Sequence, residues 1–103
     1  MADERILYAR FTAKEGKGAE LAEILSELID IVQREEGARY YALHRGVELT
    51  DVVWFYEVYA DQAALDAHGK NPEFGAVFAR IRELTAGPPE LIRSEFVASF
   101  NRL

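Results

Sequence analysis

Apolar and polar positions alternate from Arg5 to Thr12, with Ile6, Tyr8 and Arg10 on one face and Leu7, Ala9 and Phe11 on the other, which predicts a first strand. Lys14 to Gly18 reads as a polar, glycine-containing loop. From Ala19 to Glu36 the period becomes helical: Leu21, Ile24, Leu25, Leu28, Ile31 and Val32 form a stripe, and Glu20, Glu23, Glu27 and Asp30 cover the far side. Gly37 stands just past that helix, where a left-handed backbone is expected. Ala38 to Arg45 and Val52 to Tyr59 are rich in β-formers and flank a polar hairpin loop, Gly46 to Asp51. Asp61 suits the cap of a short helix ending near His68 or Gly69. Asn71-Pro72 then restarts helix, with Phe74, Val77, Phe78, Ile81 and Leu84 as its buried stripe. Gly87-Pro88-Pro89 stops it, because proline cannot continue the hydrogen-bond ladder, and Glu90 to Phe100 reads as the last strand.

The predicted order is strand, helix, strand, strand, helix, strand. That is an α+β fold, a ferredoxin-like βαββαβ unit with an antiparallel sheet and helices on one face. At 103 residues the chain reads as one domain spanning 1–103. The uncovered face would carry Tyr8, Trp54 and Tyr56, too many rings to leave in water, so a second copy of the chain is expected there.

Charge narrows the partners. Twelve basic residues against eighteen acidic ones give a net charge of -6. Nucleic acid and anionic membrane surfaces both need a basic face and are disfavoured. With no cysteine, disulfide and thiolate chemistry are excluded. MADERILYARF has acids where a signal peptide needs bases, and no segment approaches the roughly 20 apolar residues of a membrane span, so a cytoplasmic location is expected.

The residues from Trp54 to Phe74 hold the candidate chemistry. Alternation puts Phe55, Glu57 and Tyr59 on one strand face, and a carboxylate between two rings needs a donor or a cation. His68, on a helix that must pack back onto the sheet, is the candidate partner. Such a pair either orients a catalytic imidazole or simply ties helix to sheet. His44 reads as a surface or interface residue, and Arg10 as pairing with an acid across a subunit boundary rather than answering an anionic substrate. Two histidines on separate elements give no metal-ligand spacing. Gly16-Lys17-Gly18 lacks the residues of a phosphate loop, and Ser26, Ser94 and Ser99 lack a nucleophile context. Phe74 and Phe78 read from periodicity as core.

Three segments carry a family resemblance. FTAKEGKG at Phe11 to Gly18, WFYEVYADQAALDAH at Trp54 to His68, and AGPPE at Ala86 to Glu90 together resemble the antibiotic biosynthesis monooxygenase family. The resemblance implies a dimeric α+β barrel, a homodimer with a pocket in each subunit. It also implies, for some members, oxidation of phenols or quinols by molecular oxygen with no cofactor. Carried over residue by residue, the strand acid falls on Glu57, the helix histidine on His68 and the ring after the acid on Tyr59. A haem-degrading branch is similar but has asparagine, tryptophan and histidine where this chain has Ala9, Tyr59 and Phe78.

The reading that results is a cofactor-independent monooxygenase acting on a small aromatic phenol or quinol. His68 is the base or proton shuttle, Glu57 its orienter, and Tyr59, Phe55 and Phe11 are pocket walls. Tyr59 is counted with His68 and Glu57 as catalytic, and Phe74 and Phe78 join Phe11 and Phe55 as substrate-binding candidates. Two rivals stand beside it: a non-catalytic binding module using the same pocket, and a filled core in which the Glu57–His68 pair is structural.

Overall fold

The computed structural model describes residues 3–103. Four strands form one antiparallel sheet: β1 (Arg5–Thr12), β2 (Ala38–Arg45), β3 (Val52–Tyr59) and β4 (Glu90–Ser94), in the order β2-β3-β1-β4. Four helices accompany it: α1 (Gly18–Leu25), α2 (Leu28–Gln33), α3 (Gln62–Gly69) and α4 (Phe74–Ile81). This is the ferredoxin-like α+β arrangement. The main core lies between sheet and helices, where Phe11, Val53 and Phe55 meet Leu21, Leu25, Leu28 and Val32 from α1 and α2, and Phe74, Val77 and Ile81 from α4. Cross-strand register sets the rows on that side of the sheet. Arg93, Leu7, Glu57 and Tyr41 stand side by side across all four strands.

Three expectations need correction. The first helix is two helices, not one. The Ser26 hydroxyl donates to the Glu23 carbonyl at 2.6 Å, and the bonds there tighten to three-residue spacing, Glu27 to Ile24 and Ile29 to Ser26. A serine bonding back to its own helix competes with the ladder and bends it. The last strand ends at Ser94, not Phe100. Ser94 pairs with Ile6, and β1 starts one residue earlier, so the chain runs out of strand to pair with. Its C-terminal segment reaches the face that the helices leave open, where Phe96 and Phe100 line a hollow with Tyr40, His44, Trp54 and Tyr56. There His44 stacks on Trp54 at 5.4 Å between ring centres. Arg10 is also on that face, beside Trp54 and Glu90 in register, and forms no ion pair among the described residues.

Gly37 is the third correction. Among the described residues only Gly16 has a positive φ, 78°, in the turn where Asp51 accepts from the Gly16 and Gly18 amides. Gly37 is needed for space instead. A Cβ there would lie 2.4 Å from the Cβ of Ala64 on α3. The missing side chain lets α3 settle against the turn before β2, and the Gly37 carbonyl accepts from Ala60 at 2.9 Å. Gly37→Ala is therefore expected to destabilise the protein by about 1–3 kcal/mol in urea unfolding, the usual cost of overpacking. A neutral result would show that α3 can move aside freely.

Candidate active site

Each polar group of the site is placed by a short local device. The Asp61 carboxylate accepts from the Ala64 amide at 2.8 Å and starts α3, which then presents Leu65 and His68 to the sheet. After α3, the Asn71 side chain accepts from the Glu73 amide at 2.9 Å and donates to Glu35 at 2.8 Å. Glu35 lies beyond the end of α2, free of the helix, and turns inward towards His68. Glu57 comes from the middle of the row on β3.

These residues form a chain of contacts. His68 Nδ1 lies 2.9 Å from Glu35 Oε1, and His68 Nε2 lies 3.4 Å from Glu57 Oε1. A carboxylate only accepts, so the Glu35 contact assigns a proton to Nδ1 and leaves Nε2 towards Glu57. Tyr59 donates to Glu57 Oε1 at 2.5 Å. Both contacts fall on Oε1 and neither uses Oε2. Glu57 is 2% exposed and His68 8% exposed. Burial pushes the Glu57 carboxyl up to about 7, partly offset by the Tyr59 hydrogen bond and reinforced by the charge of Glu35. Burial and then the neighbouring Glu57 hold the Tyr41 and Tyr59 hydroxyls far above the ordinary phenolic range. Both stay neutral.

Glu57 and His68 open onto one cavity of about 910 Å³, between the helix-facing side of the sheet, α3, α4 and the Thr85–Pro89 turn. That volume is near the top of the roughly 300–1,000 Å³ common for small-molecule sites. The turn is held by pairing of Ala13 with Thr85 and by the Ala86 amide donating to the Thr12 carbonyl at 2.8 Å. Phe11, Phe55, Phe74 and Phe78 all line the cavity. Phe74 is buried, whereas Phe78 is 38% exposed and stacks on Phe11, so its reading as core is corrected to a cavity wall. Tyr59 does not reach the cavity. It is fully buried behind Glu57, and its reading as a wall is corrected to a hydrogen-bond donor that holds the acid.

Two residues were missed from the sequence. Glu35 lies within the predicted first helix and Tyr41 within the predicted second strand, and the sequence marks neither. Tyr41 lines the cavity and stacks on Phe55 at 4.5 Å. Its register opposite Glu57 was the available signal. Glu35 and Glu57 flank opposite nitrogens of one imidazole and cannot converge on a single ion, and among the described residues no cluster of three metal-binding side chains occurs. The site can accept a proton at Nε2, hold the resulting cation between two carboxylates, and sandwich a flat ring between phenylalanines.

A sequence model of the antibiotic biosynthesis monooxygenase family matches residues 5–80. The chain belongs to that family. No curated protein matches it in sequence. Among solved structures of similar fold, a protein from Shewanella oneidensis is 27% identical over 91% of each chain, with a TM-score of 0.81. One from Pseudomonas aeruginosa is 23% identical over 95% of this chain and 98% of the other, with a TM-score of 0.83. SnoaB, a cofactor-independent oxygenase from Streptomyces nogalater, is 21% identical over 98% of this chain and 100% of its own, with a TM-score of 0.84. At the last two identities the likeness speaks for the fold alone. For this monooxygenase-family chain, the reaction must be argued from Glu35, His68, Glu57 and the cavity they serve.

Proposed function

We propose that this protein is a homodimeric, cofactor-independent monooxygenase that oxidises a phenol or quinol with molecular oxygen. The observation that carries the reading is the meeting of His68 and Glu57, 3.4 Å apart, on an aromatic-walled cavity of about 910 Å³. Membership of the family and the description of SnoaB as a cofactor-independent oxygenase agree with it.

The reaction balances without an outside reductant. His68 Nε2 takes the phenolic proton, and Glu35 on Nδ1 and Glu57 beside Nε2 stabilise the imidazolium. A phenol releases its proton at a pKa of about 10 in water, so this step matters near neutrality. The phenolate gives one electron to oxygen, and the resulting radical pair joins to form a ring-carbon–peroxide bond. Loss of the ring hydrogen then cleaves O–O. One oxygen atom remains as a quinone carbonyl and the other leaves as water, with all four electrons supplied by the phenol. Tyr8, Trp54 and Tyr56 on the open sheet face are the proposed contact with the second copy.

Oxygen uptake with a hydroxynaphthalene whose para position is free tests the reading. Under ¹⁸O₂, one labelled atom is expected in each quinone formed. Label entering from water instead, or uptake no faster than without protein, would rule the oxygenase out. Tight binding of the same compound without product would favour the binding module, for which the cavity alone suffices.

A further inference from the structure

The cavity is charged in opposite senses at its two ends. Its floor holds Glu57, flanked by His68 and Glu35. Its mouth is lined by Lys70, Arg82 and Arg93, all exposed and each from a different part of the fold: the end of α3, the end of α4 and the middle of β4. Only Asp66 opposes them among the acids of the mouth, and its carboxylate already accepts from Gln62 at 2.9 Å. None of the three cations forms an ion pair among the described residues. In a chain with eighteen acids against twelve bases, three cations without an ion pair lining one cavity are a local excess of positive charge.

Helix dipoles explain part of this. Lys70 and Arg82 each follow a helix C-terminus, where a cation is favourable. Arg93 has no such reason. It shares a cross-strand row with Glu57, two strands away through Leu7. Strand spacing puts the two backbones about 10 Å apart, a span that a two-ring aromatic skeleton with its substituents fills.

The geometry points to an anionic substrate: an aromatic quinol or phenol carrying a carboxylate, or an equivalent acid, at the end remote from the reacting hydroxyl. This deepens the oxygenase reading and rests on it for the hydroxyl end. The acid group stays at the mouth because Glu57 and Glu35 repel it from the floor. The hydroxyl is thereby delivered to His68, with the rings between Phe11, Phe55 and Phe78. A cleft rimmed by one sign of charge also speeds the approach of the opposite sign, in a salt-dependent way.

Binding of 2-naphthoate and of its neutral isostere 2-naphthamide, neither of which is oxidised, tests this by calorimetry. Wild-type protein is expected to bind the acid about 10-fold tighter than the amide at low salt, with the advantage shrinking to about 2-fold at about 0.3 M salt. In the triple variant Lys70→Gln/Arg82→Gln/Arg93→Gln the preference disappears while the amide affinity stays, which also shows that the variant is folded. Equal affinities for acid and amide in the wild type overturn the inference, even if ¹⁸O₂ uptake succeeds. So does a preference that survives the triple variant or is insensitive to salt. A preference for the acid without oxygen uptake keeps the anionic ligand and removes the oxygenase. Binding of neither compound overturns the inference and leaves the oxygenase reading to the ¹⁸O₂ experiment.

Discussion

Glu57→Gln is expected to lower turnover about 100-fold and at the same time to make the protein more stable at pH 8. The two effects have one origin. Glu57 is 2% exposed, and burial raises its carboxyl from 4.5 in water to about 7. Between those values the folded protein holds a proton that the unfolded chain has released, so stability falls as pH rises through that window and stays low above it. A shift of that size corresponds to about 3 kcal/mol of penalty at pH 8 and much less at pH 5. Glutamine keeps an acceptor for the Tyr59 hydroxyl but never ionises. Urea unfolding should therefore show a gain of about 2–3 kcal/mol at pH 8 and little gain at pH 5. Turnover should move the other way, because the carboxylate that steadies the His68 imidazolium is gone. In the wild type kcat/KM is expected to fall as pH drops through about 7, and in the variant that inflection should vanish. His68, Tyr59, Tyr41 and Glu35 surround the same carboxyl and are unchanged in both proteins. A variant less stable at pH 8 would mean that the negative charge binds the fold together, and the site would be structural. Stability given up to keep a buried acid that serves function is a familiar trade.

The fold was legible because periodicity and punctuation agreed. Alternation from Arg5 and the helical stripes from Leu21 and Phe74 report local physics and mark elements that are present. The first stripe nevertheless covers two helices, and α4 ends at Ile81, well before the Pro88-Pro89 stop. The face shared by Phe55 and Glu57 also follows from local alternation, and both line the one cavity. What stayed hidden depends on contacts across long stretches of chain. Glu35 looks like one more acid on a solvated helix until Ser26 bends that helix and Asn71 meets its carboxylate from 36 residues away. Gly37 carries the marks of a helix stop, yet its role is to admit Ala64, a fact belonging to α3 rather than to its own neighbourhood. Tyr59 alternates correctly onto the inner face but sits too near the strand end to reach the hollow. Phe78 fits the helical stripe of α4, and only the space left beside it makes it a wall. A cavity is a volume that side chains fail to fill, and no periodicity encodes that.

His68→Ala and His68→Gln are expected to lose about 10²–10³-fold in kcat, the range for removing a general base, with quinol binding under nitrogen changed less than about 3-fold. The glutamine variant matters most. Its side chain can still meet Glu35 and occupy the space between Tyr59 and Phe74, whose rings lie 4.8 Å from the imidazole, but it cannot take up a proton. If the histidine served only to tie α3 to the sheet, glutamine would preserve rate and the loss would appear in stability. Removing one member of a buried pair then costs roughly 3–5 kcal/mol. Glu57 can escape that penalty by protonating, since its carboxyl already titrates near 7. His68→Ala should accordingly remain folded at pH 6, where kinetics can be measured. Imidazole added to that variant can enter the cavity and accept the proton, and should restore at least part of the rate. Glu35→Gln should sit between the extremes: about 10-fold slower, because the carboxylate that fixes the Nδ1 proton is gone while the base itself remains. A glutamine variant that turns over at the wild-type rate, or an alanine variant that imidazole leaves unmoved, would transfer the proton chemistry from His68 to Glu57 itself.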